Sequence, residues 1–154
     1  ACLNKKKFSK YDFSRLHPSG NLGAKLKTVE DLMLTGQKIP FINENLKMKD
    51  ALKIITKKKL GVLIAQNSRG NTTGILTDGT VRRASLKNKN LQSLTVKKIM
   101  TKNPISVEQG ILAAKALALM NSKKITSLII NRKKNKNKTI GILHIHNILE
   151  ANVQ

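Results

Sequence analysis

Apolar residues along this chain fall into short runs of two kinds, helical and extended, and the runs recur in the same order. Met48, Ala51, Leu52 and Ile55 sit at i, i+3, i+4 and i+7, the spacing of one face of an amphipathic helix. Leu60 to Ala65 is an apolar run of strand length. Asn67-Ser68-Arg69-Gly70-Asn71 predicts a turn, and Thr73 to Thr77 predicts the returning strand. Asp78-Gly79 breaks that strand, and Val81 to Leu86 predicts a short helix. Upstream, Thr28-Val29-Glu30-Asp31 carries the Ser/Thr-x-x-Asp/Glu pattern of a helix start. Ile39-Pro40-Phe41-Ile42 predicts a short extended piece, which its proline confines to an edge or to first-strand positions.

The same order then returns. Thr95 predicts a helix start running through Met100, and Pro104-Ile105-Ser106-Val107 an opening strand. Ile111 to Ser122 predicts a helix so apolar that almost full burial is expected. Ser127 to Asn131 and Thr139 to His144 predict a hairpin around the basic tip Arg132 to Lys138, and a last helix spans about His146 to Ala151. The opening block Val29-Glu30-Asp31-Leu32-Met33 returns as Val96-Lys97-Lys98-Ile99-Met100, and the closing block Gly74-Ile75-Leu76-Thr77 returns at the same offset as Gly141-Ile142-Leu143-His144. The middles, Asp50-Ala51-Leu52 against Lys115-Ala116-Leu117, align at a slightly smaller offset. Matched ends with a compensated deletion point to a duplicated structural unit.

Each unit reads β-α-β-β-α, led in by a short helix. The expected fold class is therefore α/β of the α+β type, with two tandem repeats packed in pseudo-two-fold symmetry. Their expected bounds are 28–90 and 91–154. Residues 1–27 hold no copy of the repeat and no strand-like run, and are expected to be the trailing edge of something larger. The linker Asn88 to Leu94 is short, so the units must pack on each other and leave related clefts between them.

Composition changes this picture only modestly. A chain of 154 residues buries roughly 68–70% of its extended surface, enough for a core without staples. The longest apolar run, Ile111 to Met120, is far shorter than the ~20 residues a membrane helix needs. Residues 1–16 lack the apolar stretch of a secretory signal, and Cys2 is the only cysteine, which fits a reducing compartment. The expectation is a cytoplasmic protein with no membrane partner. The net charge of +22 invites a nucleic-acid hypothesis, but the lysines are scattered over every segment, tryptophan is absent and Tyr11 is the only tyrosine. Stacking platforms are missing, so nonspecific attraction to polyanions is expected without specific nucleic-acid recognition.

Met100-Thr101-Lys102-Asn103-Pro104-Ile105-Ser106-Val107, together with a last strand ending Gly-hydrophobic-hydrophobic-Thr, resembles the cystathionine-beta-synthase (CBS) domain over residues 29–150. Two copies imply a CBS pair, or Bateman module, a regulatory unit that binds nucleotides in clefts between its sheets. A more specific resemblance lies upstream. His17-Pro18-Ser19-Gly20-Asn21-Leu22-Gly23 is similar to the H-P-G-G-x-L-G segment where the sugar isomerase domain of arabinose 5-phosphate isomerases meets their CBS pair. Asp31-Leu32-Met33-Leu34-Thr35-Gly36, Leu76-Thr77-Asp78-Gly79, Arg82-Arg83, Ile125-Thr126-Ser127 and Gly141-Ile142-Leu143-His144-Ile145-His146 resemble that family in register. The family interconverts ribulose 5-phosphate and arabinose 5-phosphate on the route to Kdo of bacterial lipopolysaccharide. The resemblance thus implies a sugar isomerase domain as partner in the same parent chain, and a homodimer through CBS pairs within a higher oligomer.

The resemblance also implies where chemistry would sit. His17 would lie at the isomerase active site of the parent enzyme, but a lone imidazole without a phosphate-cradling loop cannot orient a sugar, so this chain is expected to be non-catalytic. Many CBS domains place an Asp three residues after a strand-end Thr or Ser, to clamp a ribose. Here Thr77 is followed by Thr80 and His144 by Asn147, so both acids are replaced by neutral groups that also suit helix caps. Arg82, Arg83, Lys123, Lys124 and His146 offer cations for a phosphate or carboxylate, against the plainer role of solvated charge. Thr35, Ile39, Pro40 and Gly61 from the first repeat would complete the clefts with Thr101, Pro104, Ile105, Thr126 and Ser127 from the second. No cofactor and no metal site is expected. The regulatory ligand implied is a downstream nucleotide-sugar such as CMP-Kdo, with an adenine nucleotide second, and the rival function is an architectural oligomerisation module without a ligand.

Overall fold

The computed structural model describes residues 26–58 and 60–152. In chain order the first half comprises α1 (Val29–Leu32), a 3-10 turn (Gly36–Lys38), β1 (Phe41–Asn43), α2 (Met48–Lys58), β2 (Val62–Gln66), β3 (Thr72–Thr77) and α3 (Asp78–Lys87). The second half comprises a 3-10 turn (Leu91–Ser93), α4 (Val96–Ile99), β4 (Thr101–Lys102), β5 (Ser106–Glu108), α5 (Ala113–Lys123), β6 (Ser127–Arg132), β7 (Asn135–His144) and α6 (Ile145–Glu150). The fold is α+β, with two small sheets ordered β1-β2-β3-β4 and β5-β6-β7. His17 and the motif around it lie outside the described residues.

The duplication read in the sequence is a duplication of hydrogen-bond register. β1 runs parallel to β2 with Ile42 opposite Ala65, and β5 runs parallel to β6 with Val107 opposite Ile130. The antiparallel pairs place Leu63 opposite Leu76 and Leu128 opposite Leu143. Even the irregularity is copied, at Ala65/Gln66 and again at Ile130/Asn131. Near the approximate two-fold axis the hydroxyls of Thr72 and Thr139, equivalent positions in the two repeats, meet at 2.5 Å. Ile39, Val62, Ile64, Ile129 and Ile142 form the apolar seam between the two sheets.

The short lead-in helices do not stay at home. Val29 of α1 is fully buried among Ala113, Leu117, Met120, Leu128, Leu143 and Ile148, the core of the second repeat. Val96 of α4 and the following Met100 are buried with Met48, Ala51, Ile55, Leu63 and Leu76, the core of the first. The exchange continues in the backbone. Leu34 bridges Ile142 on β7, and the equivalent pair, Thr101 on β4 with Ile75 on β3, does the same in the other direction. Each crossing needs a glycine beneath it. A Cβ on Gly74 would lie 2.7 Å from Met100 Cγ and 2.8 Å from the Thr101 carbonyl oxygen, and one on Gly141 would overlap the Met33 Sδ and sit 2.8 Å from its Cγ.

Several boundaries differ from the sequence reading. β4 was not foreseen, because a two-residue strand carries no periodicity of its own. The second opening strand begins at Ser106, since Pro104 has no N–H to give a ladder. Asp78-Gly79 does not separate strand from helix; α3 starts at Asp78 directly. The hairpin tip is shorter than Arg132 to Lys138, as β6 extends to Arg132 and β7 begins at Asn135. α5 is not almost fully buried. Ala113, Ala116, Leu117 and Met120 form a core stripe, whereas Lys115 and Ala118 are exposed, because alanine favours the helix on either face. Val81 and Ala84 on α3 are half-buried against the first core. No helix among the described residues is long and apolar enough to cross a membrane.

Candidate ligand-binding cleft

Where β3 ends and α3 begins, the chain turns against β4 and the start of β6, and a cleft of about 640 Å³ opens between the repeats. Of the residues singled out from sequence, it brings together Gly61, Thr77, Thr80, Arg82 and Arg83 with Thr101, Pro104, Ile105, Thr126, Ser127 and His144. Thr35, Ile39, Pro40, His146 and Asn147 do not line it. Ile39 and Pro40 are buried, Ile39 in the seam between the sheets, while Thr35 is exposed ahead of the first 3-10 turn. Lys124 lines the cleft; Lys123 does not. Asp78 also lines it; the strand-end pattern points to the third residue after Thr77, whereas the acid here is the first. The Asp78 carboxylate lies over Gly61: a Cβ there would sit 2.8 Å from Oδ2, and Gly61 holds a positive φ of 69°.

The polar residues at the strand ends are engaged locally. Thr77 Oγ1 accepts from the Thr80 amide at 3.2 Å and lies 3.0 Å from the Thr80 hydroxyl, capping α3. In the second repeat His144 Nδ1 accepts from the His146 amide at 3.1 Å, and the Asn147 side-chain oxygen accepts from the His144 amide at 3.0 Å. Capping thus occupies all four groups considered for ribose recognition. The strand ends at His144 and His146 already belongs to α6, so the rings stack at 4.7 Å between centroids, while only His144 reaches the cleft. Burial, and then the neighbouring His146 charge, hold the His144 imidazolium below its ordinary pKa. With Nδ1 accepting, the neutral ring carries its proton on Nε2.

What remains free for a ligand is chiefly charge and apolar surface. Arg82, Arg83 and Lys124 line the cleft with a single acid, Asp78, and with the apolar Leu60, Ile75, Ile105 and Ile125. Such a cleft suits an anion with an apolar or planar body. Among the described residues no three His, Cys, Asp or Glu side chains cluster as metal ligands would.

The family model described as CBS domain matches this chain twice, over residues 29–87 and 96–153. The chain belongs to the CBS-domain family. Its CBS pair is similar to the arabinose 5-phosphate isomerase KdsD of Salmonella typhimurium, 38% identical over 154 residues, which are 99% of this chain and 46% of the relative. The Escherichia coli KdsD is 37% identical over the same shares, and an uncharacterized protein of Rickettsia prowazekii is 37% identical over 95% of this chain and 44% of its own length. The chain therefore spans under half the length of the curated relatives it matches. Among solved structures, an uncharacterized conserved protein from Pyrococcus horikoshii superimposes with a TM-score of 0.73 at 21% identity, covering 84% of this chain and 95% of that one. CBSX2 in complex with AMP gives 0.70 at 22%, covering 83% and 97%. The CBS domain pair of MJ0100 in complex with 5'-methylthioadenosine and S-adenosyl-L-methionine gives 0.71 at 21%, covering 81% and 94%.

Proposed function

We propose that this CBS pair is the regulatory part of an arabinose 5-phosphate isomerase, carried by a sugar isomerase domain in the same parent chain and working in the cytoplasm toward Kdo and lipopolysaccharide. Support comes from the similarity to KdsD over 99% of the chain and from the cleft between the repeats. The ligand would be a nucleotide or nucleotide-sugar held at Thr77–Arg83 and Lys124, and its binding would shift the packing of the repeats and so bias the attached isomerase. The observation that carries the ligand class is that Arg82, Arg83 and Lys124 line the cleft with only one carboxylate, Asp78. Because Thr80 and Asn147 replace the ribose-clamping acids with neutral groups tied into the caps at Thr77 and His144, phosphate capture leads recognition and the ribose hydroxyls follow. CMP-Kdo, with its additional carboxylate, fits that order better than an adenine nucleotide, although CBSX2 and MJ0100 are described in complex with adenosine compounds. Calorimetry of the 154-residue chain against CMP-Kdo, CMP, AMP and ATP tests this. CMP-Kdo should bind tightest and lose about tenfold or more in Arg82→Ala or Lys124→Ala; flat traces for all four overturn the sensing role.

A second reading is architectural: the pair joins subunits, as a homodimer within a larger oligomer, and senses nothing. Apolar side chains on the helices favour it, since Leu86 on α3 is 85% exposed and Leu149 on α6 is 50% exposed. Sedimentation of Leu86→Glu and Leu149→Glu against the unsubstituted chain checks it. A dimer that these charges dissociate, with no response to any nucleotide, would favour architecture over sensing.

A further inference from the structure

At the opposite end of the first sheet from the cleft lies a second cavity of about 560 Å³, lined by Glu44, Lys97, Lys102 and Lys136 over a floor of Met100 and Ile129. Glu44 is the unusual member. It is only 8% exposed, and among the described residues its carboxylate accepts no hydrogen bond: its ion pair with Lys97 Nζ, at 4.0 Å, is beyond hydrogen-bond distance. A buried carboxylate without a donor is costly, so such a group calls for an explanation.

The duplicated repeat supplies a control for Glu44. Its equivalent in the second repeat is Gln109, and the backbones match: the Glu44 amide donates to the Gln66 carbonyl, the Gln109 amide to that of Asn131. Gln109 Oε1 accepts from the Lys133 amide at the hairpin tip at 3.1 Å, so that side chain is satisfied within the fold. In the first repeat two amides of the hairpin tip, those of Arg69 and Asn71, turn to Asn67 Oδ1 at 3.0 Å each. The repeat therefore satisfies a neutral side chain in one half and leaves a charged one open in the other. The lead-in position differs as well: Glu30 accepts from the Gly110 amide at 2.6 Å, whereas its equivalent is Lys97.

We propose that this cavity is a binding site for a hydroxyl-bearing organic phosphate of the sugar-phosphate class. Lys102 and Lys136 meet the phosphate, and Glu44 accepts from a hydroxyl. No aromatic or histidine side chain lines the cavity, so nothing there stacks on a base, which sets it apart from a nucleotide site. Lys102 and Thr101 are neighbours on β4 that line different cavities, and Asn103 and Pro104 form the wall shared by both.

Heteronuclear NMR and calorimetry of the 154-residue chain, titrated separately with ribose 5-phosphate, inorganic phosphate and ribose, test the site. Ribose 5-phosphate should shift the amides of Glu44, Lys97 and Lys102 and bind about tenfold or more tighter than inorganic phosphate, the factor expected for one hydrogen bond to a charged group. Glu44→Gln should erase that preference, and the exposed-strand variant Lys102→Ala should weaken both anions while leaving the fold intact. Arg82→Ala, in the other cleft, should leave the amide shifts of Glu44, Lys97 and Lys102 in place. Equal affinity for the two anions would reduce the site to surface charge. Shifts confined to residues 77–83, or none at all, would also overturn it, and each result leaves the nucleotide reading to its own titration.

Discussion

The two repeats share a backbone but differ where their final helices begin. The first presents Thr77, Asp78, Thr80, Arg82 and Arg83; the second, at the equivalent positions, presents His144, Ile145, Asn147, Leu149 and Glu150. One helix start carries two arginines and lines the cleft, whereas the other carries no lysine or arginine and leaves Leu149 half exposed. The helices differ inwardly too, since α3 buries no residue completely and α6 buries Ile148. Duplication supplied two equal scaffolds. Divergence at the turn after the last strand made one side a candidate for binding an anion and gave the other an apolar surface.

The scaffold half of that comparison is the harder to break. Leu76 and Leu143 are equivalent and fully buried, so truncating either to alanine should cost about 2–5 kcal/mol. Because α1 and α4 are exchanged between the cores, each variant should still unfold in one transition, with fluorescence-labelled probes in the two repeats melting together. Two separated transitions would show that the exchange does not couple the halves.

The crossings give the next largest effect. Gly74→Ala and Gly141→Ala should each destabilise by about 1–3 kcal/mol in urea titrations, since a Cβ has no room under the lead-in. Gly74→Ala should cost more, because its three nearest contacts include the Thr101 carbonyl oxygen, whereas the three nearest to Gly141 all belong to the flexible Met33 side chain. Adding Met33→Ala to Gly141→Ala should accordingly cost less than the sum of the two single changes. Strict additivity would mean that the contact is already relieved.

Caps come after packing. Thr77→Ala removes the acceptor of the Thr80 amide and should cost about 1 kcal/mol in thermal unfolding. The smallest effect is the pH dependence at His144. Its pKa is lowered in the folded chain, so as pH falls through about 6.5 the unfolded chain takes up the proton first and stability declines. Protonation at Nδ1 also removes the acceptor that caps α6. The comparison of melting temperature at pH 7.5 and 5.5 should therefore show a smaller acid loss in His144→Asn than in the unsubstituted chain. An anion bound beside His144 should raise its pKa and flatten the slope as well.

Most of the scaffold was legible in the sequence because its signals are local and occur twice. Met48, Ala51 and Ile55 announce a buried helical face, and the Gly-Ile-Leu endings announce strands that need a close neighbour. The cleft was legible in part. Thr77, Arg82, Arg83 and Thr126 could be placed by the strand ends they follow or precede, but Asp78 was passed over as a mere strand breaker. Ile39 and Pro40 were assigned to a cleft by the resemblance; which side of the sheet each occupies depends on the packing of the other repeat, and that placed Ile39 in the seam.

The sequence by itself determined the duplication, the element order and the identity of the groups available at each strand end, because hydrophobic period and turn chemistry act over a few residues. Only the tertiary structure decided the exchange of lead-in helices, the two-residue strand β4 and the burial of Glu44 beside Lys97. Those depend on contacts such as Leu34 with Ile142, Ile75 with Thr101 and Glu44 with Lys97, whose members lie far apart in the chain. Over such separations no local pattern carries information, and the fit of one repeat's surface against the other selects the partner.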